Sequence, residues 1–171
     1  RRLVGWDEIL QGGLAPGATV MSWRGTGGGI TAAKAGHDVV MAPTSHTYFD
    51  YRQAPDEAGL GGSVIDLEKV YAFEPVPGEL NADEAKHILG GQGQLWGELI
   101  PDQERREFMA FPRACALSEV LWSPRDSRDF GQFVAGLVEH LDRLRLVGVN
   151  YRPLDAALVE SVMGSAKDFD Y

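Results

Sequence analysis

The chain has a single cysteine, Cys115, among its 171 residues. One thiol excludes an intrachain disulfide framework and a thiolate metal cluster. Positive charge is also scarce: 16 Lys and Arg stand against 25 Asp and Glu, a net charge of −9. That balance excludes the electrostatic footprint of a sequence-independent nucleic-acid binder. Long apolar runs are missing, and none approaches the ~18 residues a membrane helix needs. Neither nucleic acid nor membrane is therefore an expected partner. No His, Asp and Glu set has metal-ligand spacing. An initiator methionine and a signal peptide are absent as well. The opening Arg1-Arg2-Leu3-Val4 falls inside a strand pattern and reads as a start in mid-protein.

What is present suits one domain with a real core, since 44% of the residues are hydrophobic and charges of both signs are mixed among them. Strand and helix signals alternate at first. Residues 3–6, 18–23 and 39–42 read as strands, and residues 7–10 and 30–35 as short helices, closed by Gly12-Gly13 and Gly36. Apolar, non-alternating strands separated by helices indicate a parallel sheet covered on both faces. A long excursion covers residues 44–88, with turn clusters at Gly59-Leu60-Gly61-Gly62 and Glu74-Pro75-Val76-Pro77-Gly78. Within it residues 81–87 read as a helix with Asn81 near its cap. A fourth, glycine-rich strand is expected over residues 88–96. Pro101 then starts a helix that Pro112 kinks and that ends at Trp122. Another helix covers residues 129–144, with Phe130, Phe133, Val134, Leu137, Val138, Leu141 and Leu144 as its buried stripe. Residues 153–171 read as a tail behind a domain of residues 1–152.

Four βα units make half of an eight-stranded barrel. In such barrels active sites lie at the C-terminal ends of the strands. Trp6, Trp23, Tyr48, Asp50, Trp96 and Glu98 would all fall on that face. Flat rings there can cover the apolar face of a pyranose, and carboxylates can accept from its hydroxyls. A sugar pocket is the reading this convergence supports.

Several blocks resemble family 20 glycoside hydrolases, the β-N-acetylhexosaminidases. They are Trp6-Asp7-Glu8-Ile9, Met21-Ser22-Trp23-Arg24-Gly25, Gly36-His37-Asp38-Val39-Val40-Met41, Tyr48-Phe49-Asp50-Tyr51, Leu89-Gly90-Gly91-Gln92-Gly93-Gln94-Leu95-Trp96-Gly97-Glu98 and Gly148-Val149-Asn150-Tyr151-Arg152. The resemblance implies an α/β fold that is the C-terminal half, about strands 5 to 8, of a (β/α)8 TIM barrel. It also implies hydrolysis of terminal β-linked N-acetylglucosamine or N-acetylgalactosamine without a cofactor. Catalysis would be substrate-assisted, with the acetamido carbonyl attacking its own anomeric carbon. By this resemblance Tyr48 donates to the acetamido oxygen and Trp96 forms the floor beneath the ring. Trp6 and Trp23 wall the acetamido methyl, Glu98 accepts from the 4-hydroxyl, and Asp50 from the 4- or 6-hydroxyl. The family's adjacent Asp-Glu acids, in a His-x-Gly-Gly-Asp-Glu type motif, have no counterpart here, nor does its early-strand arginine. Those groups are expected on an upstream half of the barrel, which would be the chain's partner beside the glycan substrate. Many members are secreted or act in degradative compartments.

Other readings have their own residues. A non-catalytic sugar-binding fragment that folds alone, or dimerises into a full barrel, is the first alternative. Gly25-Thr26-Gly27-Gly28-Gly29 mimics a phosphate loop, but it lacks the Gly-Lys-Ser/Thr of a Walker motif, and Ile30 stands where a dinucleotide fingerprint needs glycine. It reads as a flexible connection. Asp7 and Glu8 read as a helix start using its dipole rather than a catalytic pair. Trp122 and Cys115 read as buried helix residues. His37 reads as structural, His46 as a rim residue, and His87 and His140 as helix positions.

Overall fold

The computed structural model describes residues 1–57 and 63–166. The expected turn at Gly59-Leu60-Gly61-Gly62 lies outside the described residues. Four parallel strands form one sheet in the order β1 (Val4–Trp6), β2 (Thr19–Ser22), β3 (Val39–Met41) and β4 (Ile88–Gly91). Val4 pairs with Thr19, Val20 with Val39, and Val39 with Ile88, so neighbouring strands run level. Val20, Val39 and Met41 share one face of the sheet and are wholly buried, whereas Met21 and Val40 on the opposite face are only half-buried, so the expected cover on both faces is present on one.

Helix α1 (Gly27–Lys34) crosses from β2 to β3 and buries Ala32 and Ala33 against the sheet. It begins three residues earlier than expected, and the glycine run is its first turn rather than a loose connection. Ser22 is the reason. Its hydroxyl accepts from the Gly29 N–H at 2.8 Å and donates to the Gly25 carbonyl at 2.8 Å. Gly29 also packs so closely that an added Cβ would sit 2.6 Å from the Met41 methyl.

The excursion after β3 carries α2 (Leu67–Tyr71) and α3 (Ala82–Ala85). Asn81 caps α3 as expected, in a reciprocal capping box with Glu84. His87 falls beyond α3, not on a helix, and sits 3.2 Å from the Asp38 carboxylate. The fourth strand is shorter than expected. Regular pairing ends at Gly91, after a register shift opposite Val39–Val40. Pairing resumes as a single parallel bridge between Gln94 and Tyr48, with the Phe49 N–H on the Gln94 carbonyl at 2.7 Å. Gly93 permits this, because a Cβ there would meet the Phe49 ring at 2.7 Å.

The single kinked helix expected over residues 101–122 is two helices, α4 (Gln103–Ala110) and α5 (Arg113–Trp122). Phe111 between them is extended, as a residue before proline prefers. The N-cap is Asp102, which accepts from the Arg105 N–H at 2.7 Å, so Pro101 lies outside. In α6 (Phe130–Leu146), Val134, Leu137 and Leu141 are buried as the periodicity requires. Tyr71 stacks on Phe133 with ring centres 4.9 Å apart. Residues 156–166 are not a tail but helix α7 (Ala156–Ala166), which packs on α6. Asp155 starts it by accepting from the Ala157 N–H at 2.8 Å. Trp122 is 90% exposed, contrary to the buried position expected of it. Cys115 is half-buried on α5. Among the described residues no helix is long and apolar enough to cross a membrane.

Candidate functional site

β1 ends at Trp6, β2 runs directly into Trp23, and the continuations of β3 and β4 carry Tyr48 and Trp96. The four parallel strands therefore deliver their aromatic residues to one end of the sheet. A cavity of about 540 Å³ opens there, lined by Trp6, Glu8, Trp23, Tyr48, Asp50, Tyr51, Trp96 and Glu98. All six residues picked from the sequence meet in it. Two further residues join them: Tyr51, which had stood only within its sequence block, and Glu8, which had been expected only as part of a helix start.

The rings are arranged in contact. Trp6 and Trp96 lie 5.8 Å apart between centres, Trp23 and Tyr48 6.5 Å, and Tyr48 and Tyr51 5.5 Å. This spacing suits tilted aromatic pairs. Trp96 keeps 41% of its surface open and lines the cavity, so part of it is available to a ligand. Tyr48 is 7% exposed, and burial pushes its hydroxyl pKa up, so it remains a proton donor through the neutral range.

The two acids of the pocket differ. Glu98 is exposed in the short turn that follows Trp96. Asp50 is buried, and its Oδ1 has no hydrogen-bond partner among the described residues. Burial pushes the Asp50 carboxyl up from its ordinary value, and the nearby Glu98 charge adds to this. A buried, unpaired carboxylate oxygen beside open aromatic faces is unfavourable until a donor reaches it.

Asp7 and Glu8 form no acid pair. Asp7 is buried, with Oδ1 2.6 Å from Arg24 Nε and Oδ2 accepting from the Trp23 and Arg24 N–H groups. It ties the end of β1 to the end of β2. Glu8 is exposed and accepts from the Trp23 indole N–H at 3.1 Å. The two carboxylates thus hold the backbone and the ring of Trp23. Asp7→Ala is expected to destabilise the chain by about 1.5–3 kcal/mol, the range for hydrogen bonds to a charged group. An unchanged urea midpoint and slope would contradict this role.

Arg113, which is not among the candidates named from the sequence, is wholly buried. Its guanidinium donates to the carbonyls of Phe49, Tyr51, Ile65 and Met109 and lies 5.0 Å from the Phe49 ring centre. Burial lowers its pKa to about 9. The available signal was a lone charge in the apolar run Ala114-Cys115-Ala116-Leu117 that it begins. His37 bonds the Ala18 carbonyl, and His46 stacks on Phe73 outside the pocket lining. Among the described residues no His, Cys, Asp and Glu group could hold a metal ion.

Residues 1–125 match the model of glycosyl hydrolase family 20, catalytic domain. The beta-hexosaminidase of Porphyromonas gingivalis is 46% identical over 155 residues, covering 88% of this chain and 20% of that protein. The beta-N-acetylhexosaminidase of Cellulomonas fimi is 31% identical over 148 residues, covering 82% of this chain and 29% of that protein. Among solved structures, a family 20 exo beta-N-acetylglucosaminidase from Vibrio harveyi, in complex with N-acetylglucosamine, superposes with a TM-score of 0.82. The two are 36% identical, over 90% of this chain and 25% of that one. The chain thus spans between 20% and 29% of the length of these relatives. The match in sequence and fold shows that the chain belongs to glycosyl hydrolase family 20 and corresponds to part of its catalytic domain.

Proposed function

We propose that this chain is the C-terminal half, strands 5 to 8, of a (β/α)8 barrel, and that it supplies the sugar-binding half of a β-N-acetylhexosaminidase site. The observation that carries the proposal is the aromatic pocket around a buried, unpaired Asp50 oxygen at the C-terminal strand ends. The substrate is a terminal β-linked N-acetylglucosamine or N-acetylgalactosamine. Trp96 lies under the pyranose, Trp6 and Trp23 enclose the acetamido methyl, and Tyr48 donates to the acetamido oxygen. Asp50 and Glu98 accept from ring hydroxyls.

The reaction is substrate-assisted and retaining. The acetamido carbonyl oxygen bonds to the anomeric carbon as the glycosidic bond breaks, and an acid gives its proton to the departing oxygen. Water then opens the cyclic intermediate. The acid and the carboxylate that orients the acetamide belong to the upstream half. Asp7 cannot serve, because it is buried on Arg24 and two main-chain N–H groups. Exposed apolar side chains along both sheet edges support a further half barrel. Leu3 and Val4 are 51% and 55% exposed at one edge, and Leu89 is 60% exposed at the other.

Sugar affinity tests this reading. In the reconstituted enzyme, Glu98→Gln is expected to weaken N-acetylglucosamine binding about ten- to a hundredfold, the equivalent of one hydrogen bond to a charged group. Unchanged affinity in a calorimetric titration would sink the assignment of Glu98.

A further inference from the structure

Arg113 lies behind the pocket, with its charge enclosed and no part of its surface exposed. Burying a cation costs several kcal/mol unless its donors are satisfied. Here they are satisfied by main chain. Nη1 donates to the Tyr51 carbonyl at 3.0 Å and to the Ile65 carbonyl at 2.9 Å, while Nη2 reaches the Phe49 carbonyl. Nη2 and Nε also hold the Met109 carbonyl, at 2.7 and 3.2 Å. Phe49 and Tyr51 are the two neighbours of Asp50, so the guanidinium grips the backbone on either side of it. On the opposite side the Phe49 N–H is bonded to Gln94, which fixes the peptide that follows Tyr48.

We infer that Arg113 is a positioning residue for sugar recognition: its fork holds the Phe49 and Tyr51 carbonyls and thereby aims the Asp50 carboxylate at a ring hydroxyl. The inference rests on the reading of Asp50 as a sugar contact. The rigid fork explains why arginine stands here, since only a guanidinium presents several donors in one plane. Lysine would keep the charge and lose the simultaneous grip. A displacement of the Asp50 oxygens by a fraction of an ångström is enough to weaken a hydrogen bond of this kind.

The test uses the enzyme reconstituted from this chain and its upstream half. kcat/KM is measured on an aryl β-N-acetylglucosaminide and on its 4-deoxy and 6-deoxy analogues. The parent protein is expected to discriminate about ten- to a hundredfold against the analogue that lacks the hydroxyl held by Asp50. Asp50→Asn removes that discrimination. Arg113→Lys is expected to reduce it to within about threefold, and the double variant to lose no more than the single ones. A merely structural role would instead lower kcat/KM on all three sugars by one common factor, or give effects that multiply in the double variant. Either result overturns the inference. If Asp50→Asn leaves discrimination intact, the sugar contact itself is wrong and the inference falls with it. If only Arg113→Lys leaves it intact, the contact stands and the positioning role falls. Should Arg113→Lys fail to fold, Phe49→Leu removes the ring beneath the guanidinium and is read by the same ratio, with the same two outcomes.

Discussion

Tyr48→Phe in the reconstituted enzyme is expected to lower kcat about a hundredfold while changing KM little. The substitution removes one oxygen and leaves the ring between Trp23 and Tyr51. On the proposed reading, what is lost is the donor that holds the acetamido oxygen in line with the anomeric carbon. In a substrate-assisted reaction the nucleophile is part of the substrate, so its orientation is most of what the protein can supply. Misplacement of a reacting group by about 1 Å can cost about a hundredfold. Burial keeps the Tyr48 hydroxyl protonated above the ordinary tyrosine range. Its contribution should therefore persist across the whole neutral pH range. Steady-state kinetics decides the matter: a kcat within about threefold of the parent would remove Tyr48 from the reaction.

The second large effect is on binding. Trp96→Ala is expected to weaken N-acetylglucosamine affinity about a hundredfold, in keeping with the roughly 2 kcal/mol or more that an aromatic anchor covered by its ligand carries. Trp96 has the open face of the pocket, and Trp6 backs it at 5.8 Å. Alanine would remove the platform and also leave Trp6 unsupported. Trp122→Ala is the natural control, since Trp122 is 90% exposed and lies outside the pocket. The pair separates a specific platform from a general loss of aromatic surface. Equal affinities for the Trp96 and Trp122 variants would contradict the floor assignment.

The residues that meet in the pocket were legible because parallel strands send their C-terminal ends to one face. An apolar run ending in tryptophan locates such an end without any knowledge of packing. The stripe of α6 was legible for a similar reason, since a period of 3.6 is a local property. What escaped depends on contacts far apart in sequence. Arg113 reaches carbonyls up to 64 residues away, and main-chain carbonyls carry no residue signature. Asp7 and Glu8 look alike as neighbours, yet one is buried on Arg24 and the other open beside Trp23. The glycine run looked loose because its anchor, Ser22, lies on the preceding strand. Trp122 ends α5 on a face that the described residues leave open, and side-chain size alone could not reveal that.

The closing block Gly148-Val149-Asn150-Tyr151-Arg152 also gains a physical role. Asn150 donates its N–H to Glu107 at 2.7 Å and its side-chain amide to the Glu104 carbonyl. The Arg152 N–H bonds the Phe111 carbonyl at 3.0 Å, and its side chain meets Glu57 at 3.3 Å. Glu57 in turn accepts from the Gln53 N–H at 2.6 Å and pairs with Arg105. The segment therefore clasps α4 and the excursion together.

The most direct measurement is hydrolysis of an aryl β-N-acetylglucosaminide by the 171-residue chain, first alone and then with the upstream half of the barrel added. No turnover is expected from the chain alone. Turnover is expected to appear on mixing and to be largely lost with Tyr48→Phe or Trp96→Ala. Turnover by the chain alone, or a reconstituted activity indifferent to both substitutions, would contradict the proposal that this chain is the sugar-binding half of the site.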